Sequence, residues 1–327
     1  MGLTNFPNGV FATPNVGGSD RSAIFASANI FFVDGDLGSA SSSSSGLNPD
    51  EAVSKPSEAV SKAIRGAVLY VRPRMTVASV QTYYADNITI PVTKPGVQIL
   101  GCGDPDNPYL GVDLKASTVT SNVVTVNGAA VVLDGLRLAG TGQTLDVASI
   151  VLVQNNGTTT RAYGFTIRNC RLGNGKGTLI NLGAAISIDT AIGIKVQNCI
   201  FSDNVLGITA QTDFAAVNGL IIDHCVFGGA VATRNKDIWI TGTGKGLLIN
   251  DCQFIDGLPT AGNTPRFIVT DTSGLLGMLS NTNFAMTGAT MDSLIGTAGA
   301  DAIISTGVFI VNCHGEGTAE GIGVCSR

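Results

Sequence analysis

The stretch Phe165-Thr-Ile-Arg-Asn-Cys-Arg-Leu172 predicts the fold, because the chain repeats its pattern many times. Close copies are Ile194-Lys-Val-Gln-Asn-Cys-Ile-Phe201, Leu220-Ile-Ile-Asp-His-Cys-Val-Phe227 and Leu247-Leu-Ile-Asn-Asp-Cys-Gln-Phe254. In eight copies the residue before the cysteine position, called the pivot here, is Gly, Asn, Asp or His: Gly101, Gly135, Asn169, Asn198, His224, Asp251, Asn281 and Asn312. These residue types best tolerate a left-handed backbone. Each copy is therefore predicted to be a strand, a short bend and a second strand.

The spacing of the pivots predicts the architecture. Successive pivots lie 26 to 34 residues apart, and the residue two positions before each pivot is always aliphatic. A strand–bend–strand unit cannot bury its apolar face alone, so it must stack on copies of itself. A constant bend with variable spacing predicts an all-β fold, the right-handed parallel β-helix. In such a fold the pivots stack in one column at one corner.

The cysteines follow the same repeat. Six of the seven come directly after a pivot: Cys170, Cys199, Cys225, Cys252 and Cys313 occupy the same inward position, and Cys102, after Gly101, fits it as well. Free cysteine is one of the most buried residue types, so a column of reduced, inward-facing thiols is predicted. Disulfides or a metal site are the alternative, but the sequence has no C-x-x-C pair. Cys325 lies off the column and is free or pairs between chains.

Composition limits the classes of partner. Charged residues make up only 13% of the chain, and the net charge is −5. No Lys/Arg cluster is present, so we expect no nucleic-acid partner. No apolar run is long enough for a membrane span, and Met1-Gly-Leu-Thr-Asn-Phe6 does not resemble a signal peptide. The sequence therefore predicts a protein that is made in a cytoplasm.

The organisation of the chain resembles that of a known family. Phe32-Val-Asp-Gly35, Gly46-Leu-Asn-Pro49, Leu69-Tyr-Val-Arg-Pro73 and Lys94-Pro-Gly-Val-Gln-Ile99 are similar to the opening of pectin-lyase-like β-helix proteins. In that family a short helix closes the N-terminal end of the solenoid, and here Pro56–Ile64 matches it, with an apolar stripe of Val60, Ala63 and Ile64. The predicted division is an extended arm (1–28), a first strand, Ser-rich loop and capping helix (29–66), the β-helix (67–315) and a C-terminal tail (316–327).

No catalytic residue is assigned from the sequence, and no cofactor or metal is expected. The carboxylate sets of glycan-cleaving β-helices have no match, and His314 is interpreted as a loop residue and His224 as a bend residue. Trp239, Arg234, Lys236 and Asp237 are candidates for a binding or interface patch, because Ile238 and Ile240 alternate inward and turn Trp239 outward. Burial of Trp239 in an interface, a cover from its own chain and a ligand platform all remain open. Asp203 and Asp223 are possible nearby acids by spacing alone.

The N-terminus carries a second resemblance. Thr4-Asn-Phe-Pro-Asn-Gly-Val10 is similar to the first residues of many tailed-phage and marine virion proteins. This resemblance implies a structural virion protein, a capsid decoration or spike subunit of a bacteriophage, located at the virion surface. Residues 1–28 would bind the major capsid protein or another virion protein, and the chain would form a homotrimer. The alternative is a β-helix that binds or cleaves a host surface glycan, such as a tailspike depolymerase or a polysaccharide-lyase-like enzyme.

Overall fold

The structure, a computed structural model, describes a series of segments that together cover most of the chain from residue 30 onward. These are residues 30–37, 39–75, 82–107, 110–140, 148–154, 162–173, 181–189, 191–202, 204–210, 218–228, 236–240, 245–255, 266–270, 275–286, 302–303, 307–317 and 321–325. The predicted arm, residues 1–28, lies outside them.

Three parallel sheets wind along the chain and form the β-helix predicted from the sequence. Sheet 1 contains β1 (Ile30–Val33), β2 (Val68–Val71), β5 (Gln98–Gly101), β8 (Val132–Asp134), β12 (Thr166–Arg168), β16 (Lys195–Gln197), β19 (Ile221–Asp223), β22 (Lys245–Asn250), β25 (Leu276–Ser280) and β28 (Val308–Val311). Sheet 2 contains β4 (Ile88–Ile90), β7 (Val124–Val126), β10 (Val151–Val153), β14 (Asn181–Ile188), β18 (Asn204–Ala210), β21 (Lys236–Ile240), β24 (Arg266–Thr270) and β27 (Ala302–Ile303).

Sheet 3 lies across the bend from sheet 1. It contains β3 (Tyr84–Ala85), β6 (Val112–Lys115), β9 (Leu136–Ala139), β13 (Arg171–Gly173), β17 (Ile200–Ser202), β20 (Val226–Gly228), β23 (Gln253–Ile255), β26 (Asn283–Met286), β29 (Cys313–Gly317) and β30 (Gly321–Cys325). A short pair, β11 (Ala162–Tyr163) and β15 (Ala191–Ile192), lies at another corner. The predicted C-terminal tail thus contains β30, which pairs with β29 in the antiparallel sense.

The pivots form the bend between sheets 1 and 3. The six pivots Asn169, Asn198, His224, Asp251, Asn281 and Asn312 all have φ between 50° and 53°, and Gly135 has φ 67°. The backbone N–H of each of the first five donates to a carbonyl of the next turn, as Asn198 does to Asp223 at 3.0 Å. The left-handed residue therefore turns the chain without interrupting the hydrogen bonds between turns.

We expect Asn198→Val to lower the free energy of unfolding by roughly 1–3 kcal/mol. A β-branched residue is strained at the φ of 51° found here, and the Asn198 Nδ2 contact with Asn169 Oδ1 at 3.4 Å would be lost. Urea denaturation measures the change. Asn198→Gly is the control, because it keeps the backbone conformation and removes only the side chain. Equal losses for Val and Gly would contradict the left-handed bend as the cause.

A second left-handed column was not predicted from the sequence. The column consists of seven residues with φ between 52° and 76°: Gly66, Gly96, Ala130, Gly164, Gly193, Gly219 and Gly246. The first six precede strands of sheet 1, and Gly246 lies at the start of β22. Each N–H of the first six donates to a carbonyl of the following turn, for example Gly193 to Asn218 at 2.7 Å. A glycine five residues before most pivots was the signal for this corner.

The prediction for Cys102 is wrong. Gly101 is not in the left-handed region and continues strand β5, so no bend precedes Cys102. Without the bend, the strand alternation turns Cys102 outward. It packs outside the core beside Phe32 and Ala52, and burial there raises the pKa of its thiol to about 12.

The five cysteines that follow left-handed pivots lie in the core, as Cys170, Cys199, Cys225, Cys252 and Cys313 are all buried and free. Each Sγ lies against the carbonyl oxygen two residues earlier, at 3.1–3.5 Å. In the turn between Cys252 and Cys313, Thr282 takes the position and donates its hydroxyl to Ser280 O at 2.9 Å. The position after the pivot is therefore occupied by a small side chain whose thiol or hydroxyl can donate to the carbonyl two residues earlier.

We expect Cys170, Cys199, Cys225 and Cys252 to resist alkylation by iodoacetamide in the native protein. All four side chains are buried, so the reagent cannot reach them in the folded protein. At Cys199 burial also raises the pKa, which keeps the thiol protonated, and only the thiolate reacts. Mass spectrometry of labelled peptides, with urea-denatured protein as the positive control, checks this resistance to alkylation.

The same thiols are expected to be free of disulfides. In a Cys325→Ser background, adding reductant should therefore leave Tm unchanged. A drop in Tm of several degrees would instead reveal cross-links within the column.

A short helix closes the N-terminal end. Helix α1 (Pro56–Lys62) buries Pro56, Ala59 and Val60, and Glu58 Oε2 accepts from Ser54 N at 3.0 Å and Lys55 N at 3.1 Å. At its other end Lys94 Nζ donates to the Ser61 carbonyl at 2.7 Å. The helix is shorter than predicted: Ala63 is buried beyond its end, whereas Ile64 is exposed.

Candidate functional site

The corner between sheets 1 and 3 carries the richest set of polar side chains in the described residues. We call it the polar corner and define it as the seven left-handed pivots from Gly135 to Asn312 together with the polar residues that precede them: Asp134, Arg168, Gln197, Asp223, Asn250 and Ser280. Its first part is centred on Asp134. The Asp134 carboxylate accepts from Arg168 at 2.8 Å and from Asn169 Nδ2 at 2.8 Å. This part is a partly exposed ion pair with an amide attached.

The second part is centred on His224, whose imidazole lies between two carboxylates. Its Nδ1 is 2.9 Å from Asp223 Oδ1, and its Nε2 is 3.2 Å from Asp251 Oδ2. Asn250 Nδ2 also donates to Asp223 Oδ1, at 2.9 Å. About half of the His224 and Asp251 side chains is exposed. The three residues come from two consecutive turns of the helix, so only stacking brings Asp251 to the imidazole.

Amides continue the corner beyond His224. Asn250 Oδ1 accepts from Ser280 Oγ at 2.8 Å and from Asn281 Nδ2 at 3.1 Å, and Asn312 Nδ2 donates to Asn281 Oδ1 at 2.8 Å. Such a chain of side-chain hydrogen bonds holds neighbouring turns in register. The pivots predicted as a structural ladder are therefore bonded to their neighbours along the corner.

The chemistry that this corner offers is acid–base and hydrogen bonding. The His224 imidazole offers two ring nitrogens to the carboxylates on either side, and Asp251 and Asn281 present acceptors to solvent. In the described ranges no group of three or more His, Cys, Asp or Glu side chains has a geometry that suits a metal ion. No helix of the described residues is long and apolar enough to cross a membrane.

The candidate patch around Trp239 is not assembled as one exposed surface. Trp239 is half-buried and packs against Ala184 and Leu206, outward residues of the preceding turns of sheet 2. Asp237 is buried, which removes it from an exposed patch. Arg234 lies outside the described residues, and Lys236 is described only by its place in β21. At least part of the indole is therefore covered by its own chain.

The remaining candidates lie apart from one another. His314 is half-buried in β29 on sheet 3, and its backbone N–H donates to Thr282 at 2.9 Å. Asp203 lies outside the described residues. Of the two acids that the spacing suggested, Asp223 is the one that the structure describes, and it lies in a cluster with His224 and Asp251.

An exposed apolar surface on sheet 1 was missed by sequence reasoning. Phe309 is 69% exposed and Met278 40%, and Leu276 and Val311 are also exposed. Met278 pairs with Phe309, so both side chains project from the same face of β25 and β28. Neither strand contains a charged residue. We call these four residues the apolar face. Its sequence signal was the alternation in Val308-Phe-Ile-Val311, where Ile310 is inward and its two neighbours face outward.

The backbone fold of this chain is similar to that of a solved protein structure. The crystal structure of a pectin methylesterase from Aspergillus niger is similar over 90% of this chain and 87% of that chain, with a TM-score of 0.50 and 10% sequence identity. This chain is a right-handed parallel β-helix. At 10% identity the similarity concerns the fold alone, since the same fold supports unrelated functions. No protein-family model and no curated protein matches the sequence.

Proposed function

We propose that this β-helix is a non-enzymatic structural protein, a decoration or spike subunit at the surface of a bacteriophage virion. The observation that carries the proposal is the apolar face, which is suited to association with other chains. An uncharged, contiguous apolar surface on a rigid sheet is typical of protein–protein interfaces. The N-terminal arm, residues 1–28, is the proposed attachment to the major capsid protein or another virion protein.

The occupant of the apolar face is proposed to be a second copy of this chain, within a homotrimer. Sheet faces are flat, so strands β25 and β28 of one copy can pack against the same two strands of another. Phe309 takes the anchoring role for which Trp239 was a candidate, because aromatic residues dominate interface energetics and Trp239 packs on its own chain. Three arms on one trimer then attach together, which strengthens a weak single contact.

The bonding of the polar corner also supports a structural role. Asp223, Asp251 and Asp134 each lie against an arginine, an imidazole or an amide of the same corner. A glycan-cleaving carboxylate must reach the sugar bond or its attacking water. Carboxylates that bond to neighbouring turns instead make the β-helix more rigid.

Deletion of residues 1–28 tests the arm. The truncated protein should remain a folded trimer in sedimentation but lose co-purification with the virions that contain the full chain. The full-length protein is the control, and it should be found in the purified virions at a fixed copy number per particle. Particle binding that survives the deletion would refute the arm as the attachment.

Phe309→Ser combined with Met278→Ser tests the apolar face. Both side chains are exposed in the single chain and neither belongs to the core, so the variant should fold but sediment as a monomer. Ile255→Ser is the matched control, because Ile255 is 43% exposed on sheet 3 and lies outside the proposed interface. A trimer that persists in the double variant, or a monomeric full-length protein, would refute assembly through this face.

Binding or cleavage of a glycan is the second candidate function. The specific observation is the exposed Asp223–His224–Asp251 cluster, on a fold shared with an enzyme whose name states that it acts on pectin. Incubation with pectin and with host surface polysaccharide, followed by assays for reducing ends and for released methanol, tests this function. Activity that disappears in Asp251→Asn but persists in Asn312→Gln would favour the enzyme over the structural protein.

A further inference from the structure

The C-terminal hairpin places two cysteines opposite each other. Strand β30 turns back on β29 in the antiparallel sense, with Cys313 directly across from Cys325. Directly opposite residues of an antiparallel pair lie on the same face of the ladder, with Cα atoms about 4.5–5.5 Å apart. Disulfides form across Cα separations of about 4.4–6.8 Å. The backbone register therefore satisfies the Cα requirement for a cross-link.

Cys313 is separated from the other thiols of the column. The turn before it carries Thr282, so Cys252 is two turns away, or about 10 Å at the usual strand spacing. That distance is too long for a disulfide. Cys102 lies near the opposite end of sheet 1, outside the core. Among the cysteines of the described chain, the register thus brings Cys325 to Cys313.

We propose that Cys313 and Cys325 form an intrachain disulfide when the protein meets a disulfide oxidant, and that this bond locks the C-terminal cap. Strand β30 covers the last edge of sheet 3, which would otherwise offer unpaired backbone groups to another chain. A covalent link between β29 and β30 prevents the cap from opening. The proposal is independent of the virion assignment, because it rests on the register of the hairpin.

The reaction is a thiol–disulfide exchange with oxidised glutathione as the oxidant. The Cys325 thiolate attacks one glutathione sulfur, forms a mixed disulfide and expels one glutathione thiolate. The Cys313 thiolate then attacks the Cys325 sulfur and expels the second glutathione. The two protein thiols lose two protons and two electrons, and one oxidised glutathione becomes two reduced molecules. Cys313 is buried, so the second step requires a transient opening of the hairpin.

Thiol counting and peptide mapping test the proposal on the full chain. After treatment with oxidised glutathione and removal of the reagent, the thiols titrated in denaturant should fall from seven to five, because one disulfide uses two. Glu316 and Glu320 lie between the cysteines, so a Glu-specific protease separates them into different peptides. These peptides should appear joined before reduction and apart after it, and Tm should rise by several degrees on oxidation.

Cys313→Thr is the matched variant, because Thr282 shows that threonine is accommodated at this position of the column. In this variant the mixed disulfide on Cys325 should persist, whereas in the full wild-type chain it should resolve within the same incubation. Seven free thiols after treatment of the wild-type chain would overturn the proposal. So would a Cys325–Cys325 link between chains, seen as a dimer on a non-reducing gel, or a mixed disulfide of equal lifetime in both proteins.

Discussion

Replacing Phe227 by alanine is expected to lower the free energy of unfolding by about 3–5 kcal/mol, the range for large-to-small changes of buried aromatics. Phe227 is fully buried and lies between two parallel rings. The centroid of the Phe227 ring lies 4.5 Å from that of Phe201 and 4.8 Å from that of Phe254, and the interplanar angles are 8° and 5°. Truncation opens a cavity and removes both stacking contacts at once. Urea denaturation followed by circular dichroism measures the loss.

Phe227→Leu is the control for this variant. Leu172 and Leu138 occupy the same column in earlier turns and are buried there, so leucine is compatible with the backbone. We expect it to cost about 1 to 1.5 kcal/mol, as better-matched hydrophobic replacements do. A loss as large as that of alanine would show that backbone disruption, and not the cavity, dominates. Fluorescence of Trp239, the single tryptophan, reports whether unfolding spreads to sheet 2.

The second large effect is expected at Arg137, where Arg137→Met should cost about 3–5 kcal/mol. The guanidinium is buried on the outer side of sheet 3. It bonds Asp113 Oδ1 at 2.9 Å and the Pro105 carbonyl at 2.9 Å. Methionine keeps most of the volume but leaves the buried Asp113 carboxylate without this cation. The midpoint of urea denaturation should fall accordingly.

The double variant Asp113→Leu/Arg137→Met separates charge from packing. Replacing both members of a buried ion pair by apolar residues is often neutral, whereas removing one is strongly destabilising. We therefore expect the double variant to recover most of the stability lost in Arg137→Met. If both variants lose the same stability, the packing of the Arg137 aliphatic chain, and not the ion pair, is the stabilising feature.

The bend column shows which parts of the fold a sequence can predict. Asn169, Asn198 and Asp251 each sit between two short strands, and the residue type, the inward aliphatic neighbour and the following cysteine are all local. Gly101 has the same local pattern but remains extended. A glycine permits a left-handed bend without requiring it, so the pattern alone could not distinguish Gly101 from Gly135.

Less of the candidate site than of the fold could be predicted from the sequence. Trp239 was correctly placed outward by strand alternation, but its contact with Leu206 depends on the register between two turns. The same is true of Asp251, which reaches His224 of the previous turn. The loops that connect the sheets vary in length, so sequence spacing does not reveal which outward side chains meet.

Local sequence patterns were sufficient to predict the β-helix, the corner of left-handed pivots and the core position of Cys170, Cys199, Cys225, Cys252 and Cys313. Each follows from backbone preferences and inward periodicity that repeat in every turn. Four features became visible only in the folded chain: the outward position of Cys102, the ion pair of Arg137, the apolar face around Phe309 and the register of Cys313 with Cys325. These features arise where separate turns stack, and stacking is fixed by hydrogen bonds between residues about thirty positions apart, which no local pattern encodes.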